Sequence, residues 1–595
     1  MLATALITIF FAGCNYTPNI KPDENPDNTP VISVENNSGF GLISLSKCQR
    51  FDADWGEEQP LRMVKWQNVK LSDEDAEKYP ELSDALAAFN DEEDQAATSQ
   101  MQAFREYTDY EGSSTLYANT EKYVLRADKA VVSILGEYES YSGGAHGYYA
   151  KAGTNLSPET GEEIDLFDVV TDKDTLYTLI FDYLLENYEG EFYEERREDL
   201  YEHFDNGLNW SIDYNKINIY FNPYEIASYA AGLIEFELWF DEHPEMIDKK
   251  YTDVPSSYAV ELSHFKEFKF DRDKSDGKRD VILAGSYGSE DYLCDKLAIS
   301  LNLREYTEDE LYGVQFTPVL VCLEGKYYLY GEIGTENGSN FINVYDLNGS
   351  GVKKIKTVEL GFKKLSHYQG DEFVGYYREI MNNPLNVNLE TYLYLLNSPN
   401  SAYKNYSINK TTALPETDDE HFTINEDNGE KITLCDIEVQ MLADGEILTL
   451  SEGTTLMPLY TDGLSYVDFI FEAGQKCRVN IESRDGINTV NGKDVSECFA
   501  DKYFWESEDD TGILSFEEAS VELSEIYDVQ TALENGMVLA DYDRVENING
   551  IPHTCIALAT DHEDHTVVEK IYAVAPESVY EYDAALDEWN AVGFG

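Results

Sequence analysis

The stretch KINIYFNPYEIASYAAGLIEFELWF, residues 216–240, decides the fold of the first folded region. Ile217, Ile219 and Phe221 alternate with polar positions, the period of a strand. Asn222 can cap a short helix, Pro223 suits its first turn and Gly232 can end it. Ile234, Phe236, Leu238 and Phe240 then alternate against Glu235 and Glu237, which predicts a half-buried strand. Upstream, residues 174–189 place Leu176, Leu179, Ile180, Tyr183 and Leu184 on one helical face, with Asp174 as N-cap. VVSILGEYESYSGGAHGYYAKAGTNLS, residues 131–157, predicts two strands around a Gly143-Gly144 turn, and Thr160-Gly161 is a second hairpin signal. Residues 69–94 look helical around Leu82, Leu86 and Phe89. Together these segments predict an α+β domain over residues 31–250, the first part of a multidomain α+β chain.

Three motifs occur here in order: RADKAVVSILGEYESYSGGAHG at 126–147, NLSPETGEEIDLFDVV at 155–170 and INIYFNPYEIASYAAG at 217–232. The combination resembles the extracytoplasmic domain of RsiV-type anti-sigma factors. It is similar also to the module that precedes the catalytic domain of PdaC-type peptidoglycan deacetylases. The resemblance spans about residues 60–245, and it implies an α+β domain that works by binding, since RsiV-type proteins sense lysozyme with it. Two departures bear on function. Only 13 residues precede Cys14, so inward signalling through a spanning helix is not expected of this chain. A PdaC-type enzyme needs an Asp and His metal cluster, and the nearest string is the TDG of Thr461–Gly463, with no partnering histidines. Within the motifs, His146, Tyr224, Glu225 and Tyr229 are the partner-binding candidates. The alternative is structural: a turn histidine satisfying backbone groups, and tyrosines fixing the connection between two strands.

Residues 2–12, LATALITIFFA, form an apolar run ending at Gly13 and Cys14. Small residues directly before a cysteine look like a lipoprotein signal, which predicts a signal peptide over 1–13, lipidation at Cys14 and a disordered tether over 14–30. No basic residue precedes the run, and Phe11 stands where such signals carry Leu. The expected location is extracytoplasmic, anchored by lipid to the outer face of the membrane. Acidic side chains number 115 against 43 basic ones, a net charge of −72 spread along the chain. Such a field disfavours nucleic acid and attracts cations and cationic proteins. Seven cysteines beyond Cys14 are widely separated, without a C-x-x-C pair, so buried thiols are expected instead of zinc or redox chemistry.

Residues 255–412 read as a β-rich domain in which KYYLYGEI and NFINVYDL pair as strands. FDRDKSDGKRDVIL offers Asp271, Asp273, Ser275, Asp276 and Asp280, close to a D-x-D-x-D-G calcium turn with one extra residue before Gly277. VYDLNGSGVKKI offers Asp346, Asn348 and Ser350, with Lys354 where the last acid should stand. Calcium is therefore the one cofactor the sequence suggests, with a polar β-turn as the alternative at each loop. Residues 425–505 alternate between turns at Glu452-Gly453, Asp462-Gly463 and Ala473-Gly474, which predicts a small SH3-like barrel. Residues 510–595 predict a small α+β module with a hairpin at Asn549-Gly550. Its DHEDH, Asp561–His565, spaces the histidines by three where a zinc helix needs four.

No nucleophile elbow, Walker loop or HExxH motif is present, so no catalytic residues and no nucleotide are expected. The expectation is a binding protein for a wall-active partner such as lysozyme. A glycan- or peptidoglycan-binding structural lipoprotein, or an unrecognised wall hydrolase or deacetylase, are the alternatives.

Overall fold

The computed structural model describes residues 40–51, 62–106, 116–193, 197–273, 277–288, 294–335, 340–369, 372–396, 400–425, 428–471, 474–484, 487–502, 514, 516–524, 526–534, 537–548, 551–561, 566–575, 578–583 and 588–592. Cys14, the apolar run before it and the tether lie outside these residues. Among them no helix is long and apolar enough to cross a membrane.

The N-terminal region begins with strands β1 (Leu42–Phe51) and β2 (Arg62–Leu71), paired antiparallel. A helix over Pro80–Glu106 then crosses the sheet and leads to β3 (Leu116–Ala127), which runs parallel to β2. Leu82 and Leu86, expected on its apolar face, are fully buried, and Ala97, Met101 and Phe104 extend that stripe. β4 (Val132–Tyr141) and β5 (Tyr148–Leu156) continue antiparallel around the glycine turn, where Gly143 and Gly144 have φ of 88° and 113°. Such values suit a residue without Cβ.

Next come the helices Lys173–Tyr188 and Arg197–Phe204, then β6 (Asn209–Ile212), β7 (Lys216–Phe221) and β8 (Ile234–Trp239) in one antiparallel sheet. The first helix is capped by Asp172, whose side chain accepts from Thr175 N, two residues before the expected cap. Leu176, Ile180 and Leu184 pack with Ile217, Ile219, Phe221, Ile234 and Leu238 in a single core. Between β7 and β8 the expected helix shrinks to one 3-10 turn, Tyr229–Ala231, ended by Gly232 at φ 77°.

β5 lies against β6 through close backbone contact. A Cβ on Gly153 would sit 1.8 Å from the Trp210 carbonyl oxygen, so only glycine admits this approach. Buried side chains stitch the two sheets: Asn155 Nδ2 donates to Trp210 O at 2.8 Å, Ser133 Oγ to Asn155 Oδ1 at 2.7 Å, and Ile212 N to Ser133 Oγ at 3.1 Å. The RADKA motif is likewise structural. Arg126 is fully buried, donating to Asp128 Oδ2 at 2.8 Å and Tyr251 O at 2.7 Å, while Asp128 caps Ala130 N.

The sheet does not stop at the expected boundary near residue 250. The hairpin Lys364–Gln369 and Glu372–Ile380 joins it through β1, so that seven strands form one sheet with this hairpin at one edge and β5 at the other. Strand β9 (Ser257–Glu261) belongs to a separate five-stranded sheet, where Lys326–Gly334 and Asn340–Asp346 pair as expected. The expected SH3-like barrel is replaced by open sheet. Strands from 425–505 connect, through Phe422–Ile424 and Asn400–Ile408, into a twelve-stranded arrangement, and no closed barrel occurs among the described residues. Gly453, Gly463 and Gly474 do take positive φ, so the turns were legible although the closure was not. The tail is a five-stranded antiparallel sheet whose Ile556, Leu558 and Tyr572 pack on the helices Phe516–Ser524 and Tyr527–Glu534. The chain is thus predominantly β, with helices added, in several sheets.

Candidate functional site: an aromatic platform

The four residues singled out in the motifs come together. His146 leaves the β4–β5 turn, while Tyr224, Glu225 and Tyr229 lie in the β7–β8 connection. The His146 ring stacks on Tyr229, centroids 3.9 Å apart and 22° between planes. His146 Nδ1 lies 2.9 Å from Gly147 O, an acceptor, so this nitrogen carries the proton. Nε2 lies 3.3 Å from the Tyr224 hydroxyl, within hydrogen-bonding distance. Tyr229 donates its own hydroxyl to Gly147 O at 2.9 Å, fixing the ring under the turn. The two tyrosine rings are 5.6 Å apart.

Tyr224 is 52% exposed although its ring is held in place. Its φ of 71° lies in the left-handed region, which costs an L-residue about 1–2 kcal/mol. Tyr224 N donates to Ala227 O at 3.1 Å and Glu225 N to Asn222 O at 3.0 Å, so the surrounding turn enforces the conformation. Strain of this kind accumulates where a side chain must point in one particular direction. Glu225 serves the turn as well: Oε2 accepts from Asn222 N at 2.8 Å, and Oε1 lies 3.5 Å from His203 Nε2.

Sequence reasoning missed Tyr148 and Tyr149, which follow the turn directly. Tyr149 meets Tyr229 edge-on at 5.8 Å, and Tyr148 is an exposed ring on the same strand. Burial, then the nearby Glu225 carboxylate, push the Tyr148 hydroxyl upward, so it remains a hydrogen-bond donor at neutral pH. The signal was the YY pair after GGAHG. Alternation alone sends adjacent residues to opposite faces and hides their shared role at a strand end.

The calcium-like loops are bridged by an arginine. Arg272 donates to Asp280 Oδ1 at 2.6 Å and reaches across to Leu347 O and Gly349 O of the second loop. Asp271 pairs with Arg279 at 2.7 Å. Asp346 Oδ1 accepts from Asn348 N at 2.8 Å, and Ser350 O accepts from Arg304. Ser275 and Asp276 lie outside the described residues, whereas Asp273 lies within them. Guanidinium groups thus pair with Asp271 and Asp280 and reach carbonyls of the second loop, whereas the carboxylate of Asp346 is held by Asn348. Among the described residues no cluster of three His, Cys, Asp or Glu side chains is arranged for a metal. His562–His565 of DHEDH also lie outside the described residues. Cys294, Cys322, Cys477, Cys498 and Cys555 are buried, and Cys48 is exposed.

A family model described as "Protein of unknown function (DUF3298)" matches residues 165–241. Among solved structures, a DUF3298-family member from Bacteroides fragilis is 18% identical, covering 36% of this chain and 96% of its own, with a TM-score of 0.27. A DUF3298-family protein from Pseudomonas aeruginosa PAO1 is 14% identical, covering 36% of this chain and 97% of its own, also with a TM-score of 0.27. No curated protein matches. The helices and the β6–β8 sheet that carry half of the aromatic platform are therefore a DUF3298 domain, spanning residues 165–241.

Proposed function

We propose that the protein is an extracytoplasmic, lipid-anchored binding protein whose platform of His146, Tyr224 and Tyr229 engages a basic, wall-active protein such as lysozyme. The observation that carries this reading is the platform itself. Residues from two distant connections are locked together, one of them at a backbone cost, and still present aromatic surface to solvent. Exposed tyrosines supply large contact area at low entropic cost in protein recognition. The net charge of −72 favours a cationic partner and speeds its approach at low salt. The resemblance of the 126–232 motifs to the RsiV-type and PdaC-type module supports the same assignment, and the signal-like segment ending at Cys14 supports the location. In this reading the protein captures its partner without catalysis.

The same rings suit a sugar face, so peptidoglycan fragments are the competing ligand. The purified protein is titrated with lysozyme and with peptidoglycan fragments at low and high salt, alongside Tyr224→Ala. Saturable lysozyme binding that weakens with salt, and weakens about tenfold in the variant, supports the proposal. Binding of glycan alone, insensitive to salt, transfers the platform to the structural-lipoprotein reading. Absence of lysozyme binding at low salt overturns the proposal.

A further inference from the structure

The second face of the DUF3298 sheet is polar. Lys216, Asn218 and Tyr220 on β7, with Glu235 and Glu237 on β8, turn away from the helices and line a cleft of about 270 Å³. The opposite wall comes from β3–β5, and the rim from residues 261–269 together with Tyr183 and Tyr188 near the end of the Lys173–Tyr188 helix. Four lysines and five glutamates line it, so the cleft is negative by one formal charge. Its lysines are already matched. Lys151 lies 3.1 Å from Glu235, Lys266 2.5 Å from Glu137, Lys269 3.0 Å from Glu237, and Lys216 2.8 Å from Asp213.

Two buried acceptors lining the cleft take no hydrogen bond from the described residues. Asn218 is 3% exposed, and its Oδ1 accepts no hydrogen bond among the described residues. Glu137 is 7% exposed, and its Oε1 likewise accepts no hydrogen bond among the described residues, its one contact there being the longer ion pair with Lys151 Nζ at 3.7 Å. Buried acceptors without donors are costly, and native interiors rarely keep two in one cavity. Both orphaned atoms are oxygens, both belong to residues lining the cleft, and the local charge is negative. An anion would face the glutamates, and a lone hydroxyl has one proton to give. An ammonium group has three, on a compact cation.

We infer that this cleft is a binding site for a primary ammonium group, hydrogen-bonded by Glu137 Oε1 and Asn218 Oδ1. The group can come from a small diamine or from a lysine side chain, and the same titration separates them. The full chain is titrated calorimetrically with 1,5-diaminopentane, with Nα-acetyl-lysine methylamide, and with N-pentylacetamide as an uncharged control. Saturable binding of either amine, with none of the acetamide, is expected. Glu137→Gln and Asn218→Leu should each weaken it about tenfold, with folding checked by circular dichroism. Diamine binding alone identifies a free amine as ligand, and lysine-derivative binding alone identifies a protein side chain. If either variant fails to fold, the other decides. No saturable binding of either amine, equal binding of the acetamide, or unchanged affinity in the folded variants overturns the inference. The aromatic platform takes no part in this titration, so its result stands apart from the lysozyme measurement.

Discussion

The side chain of Asn222 grips the backbone of Lys151 from both sides: Oδ1 accepts from Lys151 N at 2.8 Å, and Nδ2 donates to Lys151 O at 3.0 Å. Asn209 repeats the device, donating to Lys151 O at 2.7 Å and accepting from Gly153 N at 3.0 Å. β5 is the edge of the seven-stranded sheet, and these amides satisfy groups that an edge strand otherwise leaves open. The same asparagine begins the connection that carries Tyr224 and Tyr229.

Asn222→Ala should therefore destabilise the protein by about 2 kcal/mol, the worth of two hydrogen bonds in a half-buried setting. Hydrogen exchange should report the Lys151 amide among the first to lose protection. An unchanged unfolding midpoint would show that the sheets dock without this amide.

Tyr224→Gly should separate stability from binding. Glycine adopts φ 71° without strain, so the variant should be as stable as the parent or up to about 1 kcal/mol more stable. Its affinity for lysozyme should nevertheless fall, as in Tyr224→Ala. Thermal melts and titrations on the same sample check both parts.

Glu390 predicts a pH dependence far from the platform. Burial raises its carboxyl to about 7, and Glu332 adds to the shift, while Lys364 and the Asn425 amide oppose it. The folded state thus retains a proton that the unfolded chain releases near pH 4.5. Stability from this group is complete below that value and is lost as pH rises through about 7. Glu390→Gln should remove the loss, so parent and variant should diverge by about 3 kcal/mol between acid and pH 8 in urea unfolding. Parallel curves would contradict it.

The arginine bridge gives a prediction about ions. Arg272→Ala should cost about 2 kcal/mol by removing the guanidinium from Asp280, which keeps Asn302 Nδ2 and the backbone N–H of residue 272, and from the carbonyls of Leu347 and Gly349. Chelation by EDTA should leave the parent's thermal midpoint unchanged. A drop on chelation, restored by calcium, would return a cation to these loops.

Local structure was legible where period and cap chemistry act within a few residues. The strands at 217–221 and 234–239, the helix from 173 and the positive-φ glycines follow from such signals. Partnership between strands was not legible, because alternation marks a strand without naming its neighbour. That is why the hairpin ending at Ile380 was assigned to another domain, and why open sheet was read as a barrel. The platform was found through motif resemblance. The cleft was missed because Glu235 and Glu237 read as solvent-facing, whereas a second sheet stands opposite them. At the aspartate loops, nearby arginines from the same segments compete for the oxygens that a motif reserves for a metal.

The pairing of β1 with the hairpin ending at Ile380 sets an order of events. Ser44 donates to Arg378 O across 334 positions of sequence. A chain emerging from its N-terminus presents one bare flank of β1 until that hairpin arrives, an invitation to pair with another nascent copy. Slow closure of so distant a contact is expected to make biogenesis, not equilibrium stability, the vulnerable stage of this protein's life.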